Sequence, residues 1–225
     1  CSWRKKMSNV YTPDLNRGDR IGLEEAIFCE GKSSKHLLTI LSDYHENNTS
    51  CLLTRLSVSK FESLPKQIKE EMDFDPFSKT GFFGKVRQTK KDKLVAIVTA
   101  GTSDIGVARE AARTLRHAGE DSIEYDDLGV AGLWRILEKE KELQRYPVVI
   151  VVAGMDGALF GVVGGLVASS VIAVPTSVGY GAANHGQTAL SVALANCAPG
   201  LLVTNIDNGY GAACAALRIL RHIRG

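Results

Sequence analysis

Downstream of Lys90 the apolar residues fall in five short runs, "LVAIVTAG" (94–101), "SIEYDDLG" (122–129), "PVVIVVAG" (147–154), "SVIAVPTS" (170–177) and "GLLVTNID" (200–207). Segments of helical length, such as "DIGVAREAARTLRHAG" and "GLWRILEKEKELQR", separate them. Runs that stay apolar without period-two alternation are those of strands covered on both faces. The pattern therefore predicts an α/β fold, a three-layer sandwich around a central parallel sheet. Upstream, "KSSKHLLTILSDYHEN" has helical spacing at Leu37, Leu38 and Leu41, with Ser33 or Ser34 as the cap, and "CLLTRLSV" reads as a strand. A charged run, "FFGKVRQTKKDK", lies between the two patterns. It places a boundary near Lys90, with a small α/β N-terminal domain and linker over 1–90 and a second domain over 91–225.

Composition narrows the picture. The chain has 225 residues, 44% of them apolar, and a formal net charge of +2. That is enough to bury a full core. It carries no basic footprint for nucleic acid, and glycine interrupts its apolar stretches well short of a membrane span. Neither a nucleic-acid nor a membrane partner is expected. The five cysteines, Cys1, Cys29, Cys51, Cys197 and Cys214, are widely spaced and form no CxxC pair. A reducing compartment fits best. The expectation is a cytoplasmic protein, or an organellar one after removal of a transit segment upstream of "CSWRKK".

In a doubly wound sheet ligands bind beyond the carboxyl ends of the strands, so the chemistry is sought there. After the first run, "TAGTSDIG" offers Gly101 for close backbone approach and Thr102, Ser103 and the following amides for phosphate. Asp104 has two open roles, cap of the following helix or catalytic acid. After the second, Asp126 and Asp127 have two as well: contact with ribose hydroxyls, or capping of the helix beginning near Gly132. After the third come Gly154, Met155, Asp156 and Gly157. The fourth leads to Ser177, Gly179, Tyr180, Gly181 and His185, the last read as a surface or capping histidine. The segment "HGQTALSVALANCAPG" reads as a small-residue helix that is buried all round or packed on another subunit, with Cys197 at its end. Cys197 is open between a small buried hydrophobe and a reactive thiol. After the fifth run, Asn205, Asp207 and Asn208 are polar contacts, and Cys214 reads as helix packing.

The segments "VTAGTSD", "DLGVAG", "VVAGMDGAL", "VIAVPTSVGYGA", "NCAPG" and "NIDNGYGAA" occur in one order. Together they closely resemble the pyridinium-3,5-biscarboxylic acid mononucleotide synthase family of nickel-pincer nucleotide biosynthesis. The likeness spans most of 94–217; "GLEEAIFCEGKS" and "CLLTRLS" weakly echo that family's N-terminal domain. The second half also resembles the octameric aminoimidazole ribonucleotide carboxylase/mutase fold.

The resemblance implies carboxylation of the pyridinium ring of nicotinic acid adenine dinucleotide with CO2, and hydrolysis of the phosphoanhydride to release AMP. It makes Cys197 the nucleophile and puts Asp156 where the family has glutamate; Phe160 stands where related sequences commonly carry proline. It also implies a homo-oligomer, an octamer. No tightly bound cofactor or metal site is expected, and any Mg2+ would arrive with the diphosphate of the substrate. Two other readings stay open. One is a purine-pathway mutase, whose histidine-arginine pair after the second strand is replaced here by "DDLGVAG". The other is a non-catalytic nucleotide-binding homologue.

Overall fold

A computed structural model describes residues 11–224 apart from 13 and 15, and the basic start "CSWRKK" lies outside the described residues. Contacts divide the chain into two units between Gln88 and Thr89.

In the first unit, α1 (Arg17–Ile21) precedes β1 (Ala26–Phe28), and α2 (Ser34–Glu46) connects β1 to β2 (Cys51–Thr54). Two short helices, α3 (Val58–Glu62) and α4 (Lys66–Glu70), then lead to a hairpin of β3 (Met72–Asp75) and β4 (Thr80–Phe83). The sheet runs β1-β2-β4-β3, parallel only between β1 and β2. Ser33 is the cap of α2, its Oγ accepting from the His36 amide at 3.2 Å. Leu37, Ile40, Leu41 and Tyr44 form the buried face, whereas Leu38 is only half-buried. Cys29 and Cys51 lie in this core. Burial pushes the Cys29 thiol up to about 12 and Cys51 well above its ordinary value, so neither supplies a thiolate at neutral pH.

The second unit holds β5 (Val95–Thr99), β6 (Ser122–Tyr125), β7 (Val148–Ala153), β8 (Ser170–Pro175) and β9 (Leu202–Val203), all parallel, in the order β6-β5-β7-β8-β9. Its helices are α5 (Ile105–His117), α6 (Leu133–Leu143), α7 (Ala158–Leu166), α8 (Gln187–Leu194) and α9 (Gly209–Arg224). Alternate strand residues serve opposite faces. Val95, Ile97, Ile150 and Ile172 pack under α5 and α9, against alanines such as Ala108, Ala111, Ala212 and Ala216. Ala96, Val98, Val149 and Val151 pack under the helices of the other layer, against Ile136, Leu159, Phe160 and Ala189.

This is the three-layer sandwich with a central parallel sheet. Val148 to Val152 are fully buried, and each such side chain contributes about 1.5–3 kcal/mol over exposure. The fifth strand is shorter than its apolar run, because pairing with β8 stops at Val203. No helix among the described residues is long and apolar enough to cross a membrane.

Candidate active site

Chain order reverses at β5: β6 lies on one side of it and β7 on the other. Loops leaving the strands at such a point diverge and open a crevice. Here the crevice is a cavity of about 270 Å³. It is lined by Ala100, Gly101, Ser103 and Asp104 after β5, Gly129 to Ala131 after β6, Gly154 to Asp156 after β7, and Val178 after β8. Thr102 is exposed on the same turn but does not line the cavity.

Asp104 is only 3% exposed. Its Oδ2 accepts from the Gly101 amide at 3.0 Å and its Oδ1 from Thr176 Oγ1 at 2.6 Å. Burial raises its carboxyl above the ordinary carboxylate range, and these hydrogen bonds partly oppose the shift. The side chain closes its own turn and ties the end of β5 to the end of β8 across β7. The turn-closing role is thus seen directly, and the same carboxylate lines the cavity.

The β7 loop is pinned just as closely. A Cβ on Gly154 would lie 2.3 Å from the Val178 carbonyl oxygen, so only glycine fits. Met155, at φ 52°, donates its amide to the same carbonyl at 2.8 Å. Asp156 is exposed at the cavity, and its Oδ1 accepts from the Ala158 amide at 3.2 Å, anchoring it over the first turn of α7. Phe160 is fully buried, its ring lying beneath Gly157.

Asp126 and Asp127 do not cap α6. Gly132 precedes that helix and makes no side-chain capping bond. Instead Thr99 Oγ1 receives the Asp127 amide at 3.0 Å and reaches Asp126 Oδ1 at 3.4 Å. The Asp127 carboxylate pairs with Arg135 Nη1 at 2.5 Å. An arginine in the first turn of a helix outcompetes the amides for a carboxylate that φ 59° at Asp127 points outward. Sequence reasoning missed Arg135; Asp127 lies in the loop before the helix that carries Arg135, so no single periodicity relates the two.

The remaining polar candidates close turns. Asp207 Oδ1 accepts from the Ser177 amide at 2.7 Å, Asn208 Oδ1 from the Gly211 amide at 2.8 Å at the start of α9, and Asn205 Oδ1 from Ile206 at 2.9 Å. Gly179, Tyr180 and Gly181 form a loop beyond β8 in which Tyr180 is 78% exposed. His185 is exposed at φ 58°. Cys214 is half-buried within α9.

Cys197 corrects the expectation of a helix running up to it. α8 stops at Leu194, because Ala195 leaves helical geometry at ψ 22° and the Asn196 side chain accepts from the Ala198 amide at 3.0 Å, turning the chain. Nor is α8 buried all round: Ala189 and Ala193 face the sheet, while Gln187, Ser191 and Leu194 are exposed. Cys197 itself is exposed in a shallow hollow with Ser191, Val192, Ala195 and Asn196. The loop rests on α7, where a Cβ on Gly161 would come within 2.9 Å of the Asn196 side chain. Within one chain, then, the thiol and the two carboxylates line different concavities.

Comparison with known proteins defines the class first: the family described as AIR carboxylase matches residues 94–224. The LarB/PurE-like N-terminal domain matches residues 6–85. An uncharacterized protein of Methanocaldococcus jannaschii is 37% identical over 208 residues, covering 88% of this chain and 79% of that protein. The chain belongs to the LarB family, in which that N-terminal domain precedes an AIR carboxylase-type domain, and its domains are those of a carboxylase/mutase-type enzyme.

Proposed function

We propose that the protein carboxylates the pyridinium ring of nicotinic acid adenine dinucleotide with CO2 and hydrolyses the phosphoanhydride, releasing pyridinium-3,5-biscarboxylic acid mononucleotide and AMP. The observation that carries this reading is the exposure of Cys197, in the motif that the family uses for its nucleophile, while Cys29 and Cys51 are buried and Cys214 half-buried.

A pyridinium ring is electrophilic and does not attack CO2. Addition of the Cys197 thiolate beside the ring nitrogen forms a C–S bond and leaves a neutral enamine. The enamine carbon meta to nitrogen then forms the new C–C bond to CO2. Asp156 takes the proton from that carbon, the C–S electron pair returns to sulfur, and the aromatic ring is restored. Water displaces AMP at phosphorus, with any Mg2+ carried in by the diphosphate. Asp104 holds the loops that frame the ring.

The separation of Cys197 from the cavity supports a site completed by more than one copy of the chain, in a homo-oligomer that we take to be an octamer. Apolar side chains left on the surface of the second unit, Trp134 at 63% and Leu194 at 69% exposed, are consistent with such contacts.

The AIR carboxylase match also favours a second reading, a mutase acting on a carboxylated aminoimidazole ribonucleotide. Against it, the loop after β6 carries Asp126 and Asp127 in place of a histidine-arginine pair. Incubation of pure protein with nicotinic acid adenine dinucleotide and bicarbonate, followed by mass spectrometry, tests the choice. A mononucleotide product with one added carboxylate supports the synthase. Conversion of the aminoimidazole substrate alone supports the mutase, and turnover of neither overturns both in favour of a non-catalytic nucleotide-binding homologue.

A further inference from the structure

We infer that Arg135 is the cationic contact for a phosphate-bearing ligand at this cavity, and that it reaches the ligand by exchanging its resting partner, Asp127, for the incoming anion. The described residues that line the cavity include two carboxylates, Asp104 and Asp156, and no lysine, arginine or histidine. A nucleotide diphosphate brought to such a lining meets like charge unless a cation stands close by.

Arg135 is the cation placed against the wall. A Cβ on Gly132 would meet its Nε at 2.6 Å and its Nη2 at 2.9 Å, and a Cβ on Gly129 would meet Nη2 at 3.9 Å. Between these glycines, Val130 and Ala131 line the cavity. The guanidinium therefore lies on a turn of small residues, one residue's thickness from the ligand space. Other cations nearby are engaged away from it, Arg109 with Glu124 and Lys139 with Glu142.

The resting pair is built to exchange. The Asp127 side chain is 53% exposed and that of Arg135 28%. A pair so wetted is weak, whereas a planar guanidinium binds phosphate oxygens two at a time. Asp127 keeps the guanidinium folded over the turn and neutralised until a stronger anion arrives.

The inference rests on the dinucleotide reading only for the identity of the anion, so calorimetry with inorganic pyrophosphate isolates it. Wild-type protein is expected to bind pyrophosphate, Arg135→Gln to bind it about 10- to 100-fold more weakly, and Arg135→Lys to recover part of the loss. Asp127→Asn is expected to bind about two- to five-fold more tightly, because the competing carboxylate is gone. No pyrophosphate binding by either wild type or Asp127→Asn, or binding unchanged by Arg135→Gln, overturns the anion site. Weaker binding by Asp127→Asn overturns the exchange and makes Asp127 a fixed support. Arg135-dependent binding without carboxylation of the dinucleotide would sink the proposed reaction while leaving this site standing; carboxylation with Arg135→Gln affinity unchanged would do the reverse.

Discussion

The cavity at the ends of β5 and β7 and the hollow beyond α8 hold complementary chemistry, yet they are constructed in opposite ways. Around the cavity, buried bonds determine the backbone: Asp104 spans Gly101 and Thr176, Thr99 holds the Asp127 amide, and Gly154 admits no side chain. At the hollow, Cys197 sits exposed on a loop of small residues, held through Asn196. Carboxylates that must orient a proton transfer gain from a rigid frame. On the reaction proposed above, the thiol has to remain accessible to a substrate held at the cavity, and a second copy of the chain would complete its surroundings. The two concavities thus differ in how they are held, the cavity by buried bonds and the hollow by an exposed loop.

Removing the thiol tests this most severely. Cys197→Ala is expected to lower carboxylation by more than about 10³-fold, with little change in thermal stability because the side chain is exposed. Co-expression of Cys197→Ala and Asp156→Asn subunits sharpens the comparison. Recovery of activity in the mixed oligomer means that thiol and carboxylate come from different chains; no recovery, with mixing verified by mass, confines both to one.

On the cavity side, Asp156→Asn is expected to reduce kcat by about 10²- to 10⁴-fold with a small change in KM, since the amide keeps the shape and the Ala158 bond but accepts no proton. Steady-state kinetics decides, and unchanged turnover assigns Asp156 to anchoring α7. Asp156→Glu is expected to raise kcat if the shorter carboxylate limits the rate.

Assembly gives an intermediate effect. Trp134→Glu places a charge on the exposed apolar part of α6, where Leu133 and Leu137 are also 45% exposed. Light scattering should show a smaller particle, and activity should fall with it. A wild-type protein that is monomeric and fully active would remove the need for a second chain at either half-site.

The smallest effect concerns the frame. Thr176→Val keeps shape but takes one hydrogen bond from the buried Asp104 carboxylate, with an expected loss of about 1–3 kcal/mol at neutral pH. Asp104 is already held above the ordinary carboxylate range by burial, and the lost bond raises it further. The unfolded chain then binds fewer protons than the folded one in the window above the ordinary value, so stability falls as pH rises through it. The deficit of Thr176→Val should therefore be full at neutral pH and shrink on acidification toward pH 4. A deficit independent of pH in urea titrations would show that Asp104 is not the group affected.

Much of the second unit was legible because its signal is local: continuous apolar runs such as 148–152 have no way to be buried except between two layers. The N-terminal hairpin of β3 and β4 was not read, since "MDFD" and "TGFF" are too short to show a period and their pairing depends on a turn where Asp75 accepts the amides of Phe77 and Ser78. Candidate residues were found by position after strands, and Gly101, Ser103, Asp104, Gly154, Met155 and Asp156 among them line one cavity. The same rule left Asp126 and Asp127 between ribose contact and capping, and Arg135 and Thr99 take the capping role away.

By itself, then, the order of residues determined which segments of the second unit are strands, that both faces of its sheet are covered, and that small and acidic residues gather at the strand ends, because these follow from periodicity and from where such residues recur. Only the tertiary structure decided what each acid does. Whether Asp104 orients loops depends on Thr176, seventy-two positions further along the chain, and whether Asp127 meets an arginine or Cys197 faces the carboxylates depends likewise on residues that the sequence keeps apart. Their hydrogen bonds and burial exist only once the sheet has brought β5 and β8 to either side of β7.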